Sequence, residues 1–261
     1  MARHLIASVA GLASVLLLAA CGPSSYMMTM EVRKPSESPI DLNGKTISEG
    51  SGYAPVDIGL LAVKRGGDLT LTGNGKVVGT TAFAAINMTR GNSGGYTTPD
   101  PDTGDLAKLT VQNGEIIGLY YGIAGNGSRQ NTEVVINGGT IKGTAENDNA
   151  GIYNPQKGTL TINGGTIEGA VGIYVKAGDV TTTVDGGTIK GIGVKADFSH
   201  NGSGINNTGD AFVVENCGYP GGAPAVSITG GTFKSTNGYQ LGYYEYGDVD
   251  IATVRTENAN I

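Results

Sequence analysis

Tryptophan is absent, cysteine and histidine occur twice each, and only 15% of the 261 residues are charged. Two cysteines cannot supply a disulfide framework, so stability has to come from the chain's own packing. With two histidines and no H-E-x-x-H pattern, a histidine-based metal centre is not indicated, and no serine-nucleophile elbow is present. Seventeen basic residues against 23 acidic ones give a formal charge of −6, which argues against nucleic acid and against electrostatic attachment to anionic lipid. Long apolar i, i+3, i+4 stripes are missing too, so an α-helical fold is excluded.

Glycine is what the chain has in quantity, 45 residues of it, and much of it sits in a recurring phrase. Ile136, Ile162, Val184 and Ile228 open the copies I-N-G-G-T-I, I-N-G-G-T-I, V-D-G-G-T-I and I-T-G-G-T-F. Looser copies begin at Leu42 (L-N-G-K-T-I) and Val111 (V-Q-N-G-E-I), and another begins at Thr70. Within a copy, Leu160 and Ile162 alternate with Thr161. Beyond the Asn-Gly-Gly turn, Ile167 alternates with Thr166 and Glu168. That is the period of a strand on each side of a tight turn, in residue types that suit a pleated surface.

The interval between copies sets the architecture. Ile116, Ile141, Ile167, Ile189 and Phe233 are separated by 25, 26, 22 and 44 residues. Such a unit is too short for a propeller blade and leaves no room for a helix, but it fits one coil of a β-solenoid. The last interval is twice 22, which predicts a hidden rung. A second strand recurs in step at Gly122-Ile123-Ala124, Gly151-Ile152-Tyr153, Gly172-Ile173-Tyr174 and Gly193-Val194-Lys195, with a less regular third strand expected.

Stacking predicts interior columns of Ile141, Ile167, Ile189 and Phe233; of Val111, Ile136, Ile162, Val184 and Ile228; and of Ile123, Ile152, Ile173 and Val194. Asn137, Asn163 and Asp185 should form a turn ladder, and Lys142, Glu168 and Lys190 an outward salt ladder. Seven or eight coils about 4.8 Å apart make a rod of roughly 35–40 Å. The predicted fold is all-β, and coils of 22–26 residues resemble the right-handed parallel β-helix of the pectate-lyase type.

The N-terminal stretch reads as an address. Arg3 and His4 precede an apolar run, Leu5 to Ala20, too short for a typical membrane span. It closes on Leu18-Ala19-Ala20-Cys21, which resembles the lipobox of bacterial lipoproteins. The resemblance implies cleavage before Cys21, diacylation of that cysteine, and a lipid-anchored protein of the cell envelope or cell surface. Residues 1–20 are then a signal peptide, 21–39 a tether whose Met28–Val32 portion suits a first strand or cap, and 40–261 the repeat domain. The opening L-N-G-K-T-I resembles the first coil of bacterial β-helix surface proteins, and Gly209–Phe233 is similar to a stretch recurring in β-helix proteins of gut bacteria.

Two insertions, 89–105 and 196–224, break the period, and insertions on a repeat scaffold tend to carry function. The first holds Asp100, Asp102 and Asp105. Calcium is the metal to weigh there, but three carboxylates, two prolines and no terminal bidentate Glu favour a plain acidic loop, and no cofactor is otherwise called for. The second holds Asp197, His200 and Asp210. Tyr153 and Tyr174 fall at matching outward positions with Lys195 one coil on, an arrangement in which rings stack on sugars while Lys195, Asp197, His200 and Asp210 reach hydroxyls. Ordinary cross-strand packing is the competing reading of that column. Three functions follow. The leading one is non-catalytic, adhesin-like binding of a polysaccharide or host glycan. A polysaccharide lyase or glycoside hydrolase is the enzyme alternative, and a structural spacer the third. The outward columns carry single carboxylates, not the paired ones a glycosidase needs.

Overall fold

The computed structural model describes residues 30–32, 39–50, 59–63, 66–88, 106–125, 131–176, 180–199, 204–217 and 223–245. Among them there is no helix, and every strand pairing is parallel. The chain is a parallel β-helix of seven three-strand coils, preceded by one further strand at Met30–Val32 that pairs with Gly59–Val63. The expected first strand therefore exists. The third strand of each coil is as regular as the other two.

A coil is best followed from the repeat phrase. Thr132–Ile136 lies in the first sheet, whose seven strands run from Ile40–Asp41 to Ala225–Ile228. The Asn-Gly-Gly turn follows, with Gly139, Gly165 and Gly187 at φ near +85° (84°, 86° and 86°), a conformation an L side chain resists. Thr140–Gly143 then enters the second sheet, also of seven strands, from Thr46–Ser48 to Thr232–Ser235. After a sharp corner, Ala150–Asn154 joins the third sheet, which has eight strands and ends at Leu241–Glu245.

The interior columns follow the predicted register. Ile141, Ile167, Ile189 and Phe233 stack in the second sheet, and Val111, Ile136, Ile162, Val184 and Ile228 in the first. All of these are buried except the half-buried Ile228, in the last coil. Backbone groups pair coil to coil, so this apolar interior closes with the ladder hydrogen bonds made.

Thr182 interrupts an aliphatic column of Leu69, Leu109, Val134 and Leu160, and it is fully buried with no hydrogen-bond partner for its hydroxyl. An unpaired buried hydroxyl costs about 1–3 kcal/mol. Thr182→Val keeps the shape and removes that cost, so the variant is expected to unfold at higher urea than the parent. A lower midpoint would place the hydroxyl in a hydrogen bond.

Two expectations need correction. Val194 is not a core residue: it is 74% exposed, and Phe212 takes the place after Ile173 in the third sheet. Nor is there a hidden rung, because Ile189 pairs directly with Phe233. The 44-residue interval holds one ordinary coil plus an excursion, residues 192–211, that leaves at the corner. Gly193 still hydrogen-bonds to Ala170, which is why the phrase Gly-Val-Lys imitates a rung; the chain then departs. The expected 196–224 insertion thus contains a regular coil strand, Phe212–Asn216.

The corner between the second and third sheets depends on glycine. Gly118, Gly143, Gly169 and Gly191 end successive strands of the second sheet, and a Cβ on any of them would lie within 3 Å of backbone atoms just past the corner. Across the corner, a Cβ at Gly122, Gly151 or Gly172 would strike the side chain of Ile141, Ile167 or Ile189 at 2.5–2.6 Å. At these coils the two sheets meet at a spacing no larger residue allows.

Candidate functional site

Tyr121–Gly125, Ala150–Asn154 and Val171–Lys176, in the middle of the third sheet, are buried on both faces. Ile123, Ile152, Ile173 and Phe212 face the main interior. On the opposite face Tyr121, Ala124, Tyr153, Val171, Tyr174 and Val213 form a second apolar layer. The excursion roofs that layer as a strap. Ile205 packs among the tyrosines, Tyr121 is hydrogen-bonded to the backbone of Ile205, and Phe198 stacks on Tyr244 at 4.3 Å.

Tyr153 and Tyr174 do sit in register on neighbouring coils and do point away from the main core. They are nevertheless 6% and 0% exposed, so they are not an open stacking platform. Their rings pack on each other edge to face at 6.2 Å, and Tyr121 stacks on Tyr153 at 4.9 Å. The cross-strand packing reading of this column is the correct one. Lys195 is not in the column: the residue beside Tyr174 is Val213, while Lys195 is exposed, lies 4.1 Å above the Tyr239 ring and donates to its hydroxyl at 3.0 Å. Asp197 is exposed on the strap. Cys21, Asp100, Asp102, Asp105 and His200 lie outside the described residues.

Asp210 is buried at the end of the strap. It accepts hydrogen bonds from the Tyr239 amide and the Tyr244 hydroxyl, both at 2.6 Å. Burial pushes its pKa up, and those donors, with Thr208 and Lys195, only partly offset the push. Asp210 is therefore an anchor for the strap and the last coil, with both oxygens engaged.

Three further residues, Lys176, Asn206 and Glu215, carry chemistry that the repeat pattern did not single out, and they gather beside Tyr174. The Lys176 ammonium and Glu215 carboxylate face each other across adjacent strands at 3.2 Å, both fully buried. Tyr174 donates to the same Glu215 oxygen at 2.6 Å, Asn206 donates to the Tyr174 hydroxyl at 3.3 Å, and Lys176 donates to the Gly204 carbonyl at 3.2 Å. Burial, then the neighbouring Glu215 charge, raises the Tyr174 pKa well above its ordinary value, so the phenol keeps its proton. One sequence signal could have pointed here. Runs such as Val171–Val175 and Ala211–Val214 lack polar alternation, as strands covered on both sides do.

The other two outward faces are open. On the second sheet Glu168 pairs with Lys142 at 3.5 Å and with Lys190 at 3.2 Å, and Lys76 pairs with Glu115 at 3.1 Å. The predicted salt ladder is present and largely self-neutralising. On the first sheet Thr159, Thr161, Thr181 and Thr183 form two adjacent pairs on neighbouring coils. Beside them runs the turn ladder: Asn137 donates to Gln112 at 3.1 Å, Asn163 donates to Asn137 at 2.7 Å, and Thr229 donates to Asp185. Val135 interrupts the threonine column between Thr110 and Thr161. Among the described residues no group of three His, Cys, Asp or Glu side chains could hold a metal ion.

Comparison with protein-family models, with curated proteins and with solved structures finds no match to this chain.

Proposed function

We propose that the protein is a lipid-anchored component of the cell envelope whose β-helix binds an extended glycan, without cleaving it, on the outer face of its first sheet. The observation that carries this reading is the contrast among the three faces. The third sheet is roofed by the strap and the second is occupied by its own ion pairs. The first carries a solvent-facing ion pair, Lys108 with Glu133 at 3.8 Å, and beyond it presents exposed hydroxyls and amides at Asn137, Thr159, Asn163 and Thr181, on a parallel sheet with coils about 4.8 Å apart. Such a face offers hydrogen bonds to a neutral polyol along the rod axis, and the threonine methyl groups offer contact to its apolar edges. Leu18-Ala19-Ala20-Cys21 supports the anchor.

Purified protein screened on a glycan array, followed by a product assay on each binder, tests the reading directly. Thr161→Arg with Thr183→Arg should weaken binding at least tenfold, since bulk and charge then cover the face while the interior columns are untouched. Unchanged binding by this double variant removes the first sheet from consideration, and release of unsaturated or reducing products moves the protein to the lyase or glycosidase class. Cys21→Ser should abolish lipid labelling and shift the chain to the soluble fraction. Continued membrane partitioning of that variant would contradict the anchor.

A further inference from the structure

The Lys176, Glu215 and Tyr174 cluster combines features that a simple ion pair does not need. A fully buried ion pair carries a large desolvation penalty, which mutual attraction often fails to offset. Here both charges are excluded from water, and each is held in place: Lys176 by the Gly204 carbonyl, Glu215 by the Tyr174 hydroxyl. Tyr174 and Val213, two residues earlier on the same two strands, belong to the second apolar layer. A carboxyl and an amine fixed at contact distance react at effective concentrations far above any reached in solution, about 10⁵–10⁸ M for well-oriented groups.

We propose that Lys176 and Glu215 condense to an intramolecular amide bond after the coil has closed. Proton transfer from the Lys176 ammonium to the Glu215 carboxylate, in contact at 3.2 Å, gives a neutral amine and a neutral carboxylic acid. The Lys176 Nζ lone pair then attacks Glu215 Cδ, forming the C–N bond. The resulting tetrahedral carbon expels one oxygen, which leaves as water. Tyr174, 2.6 Å from Glu215 Oε2, relays the proton: its hydroxyl passes one to the departing oxygen as it takes one from the nitrogen, so no phenolate forms. An ammonium and a carboxylate enter, an amide and one water emerge, and no oxidant or co-reactant is required. The net charge of the pair is zero before and after. Asn206, donating to the Tyr174 hydroxyl, is a positioning residue for that acid.

The bond would join neighbouring strands of the third sheet and enclose the whole strap in a covalent ring. It would fix the roof over the tyrosine layer and staple two coils without any cysteine.

Peptide mapping of the folded full-length protein tests this. Acylated Lys176 resists trypsin, so the expected product is Gly158–Lys190 joined to Ala196–Lys234, lighter than the two peptides together by one water. Recovery of a peptide ending at Lys176, with Glu215 on a separate unmodified peptide, overturns the proposal. Tyr174→Phe keeps the ring in its layer, so far-ultraviolet circular dichroism should be unchanged while the linked fraction falls at least tenfold. Full linkage in that variant overturns the assigned role of the phenol. Asn206→Ala should slow appearance of the link after refolding, and Asn206→Gln should restore part of the rate; a purely structural Asn206 would alter stability and leave that rate alone.

Discussion

Ile162→Asp is expected to eliminate the cooperative unfolding transition of the middle coils, whereas Thr161→Asp, one residue away, should leave a folded protein. Ile162 is fully buried between Ile136 and Val184, so an aspartate there places a carboxylate without a partner among aliphatic side chains on three consecutive coils. The cost of such a charge is several kcal/mol, comparable to the total stability of about 5–15 kcal/mol that domains possess. Because coils contact only their neighbours, the loss should spread to both sides of the lesion. Thr161 faces out between Val135 and Thr183, and its substitution should stay within about 1 kcal/mol. Urea titrations followed by circular dichroism compare the two; equal losses would mean that the strand faces are misassigned.

Gly118→Ala should be the most damaging single-methyl change in the corner. Its Cβ would lie 1.7 Å from the Tyr121 carbonyl oxygen and 2.9 Å from the Ala85 nitrogen, both backbone atoms that cannot rotate away. Relief requires the third sheet to move from the second, with a penalty of about 3 kcal/mol or more once the interior columns separate. Gly79 is the internal control. It occupies the same column one coil earlier, and a Cβ there would meet nothing closer than 3.4 Å. Gly79→Ala should therefore cost less than about 1 kcal/mol. Similar melting temperatures for the two variants would show that the corner is looser than its backbone spacing implies.

The first and second sheets were legible because one of their faces meets water. Solvent imposes alternation, and Thr161 against Ile162 or Glu168 against Ile167 states which way each side chain points. The turn ladder and the salt ladder were legible for the same reason, since period alone aligns Asn137 with Asn163 and Lys142 with Glu168. The third sheet obeys no such rule. Both of its faces are covered and largely apolar around Tyr174, so Tyr174 and Ile173 look alike in sequence although they belong to different cores. What roofs Tyr174 comes from residues roughly thirty positions later, a contact no local pattern records. Gly193-Val194-Lys195 imitates a rung because Ile192 and Gly193 still hydrogen-bond to the corner of the coil before, and the chain leaves at Val194. The pairing of Lys176 with Glu215 is invisible for a related reason: it joins residues on either side of the excursion, which the repeat interval skips.

The exact stacking of the repeat phrase makes length a separable property of this molecule. Ile136 and Ile162 occupy the same position on consecutive coils, as do Asn137 and Asn163. A gene that lost the codons for residues 137–162 would rejoin Ile136 to Asn163 with every remaining side chain still on its proper face, and a duplication of that block would do the reverse. Unequal recombination between near-identical phrases can therefore shorten or extend the rod by about 4.8 Å at a step. The length of the solenoid can drift over generations while its cross-section stays constant.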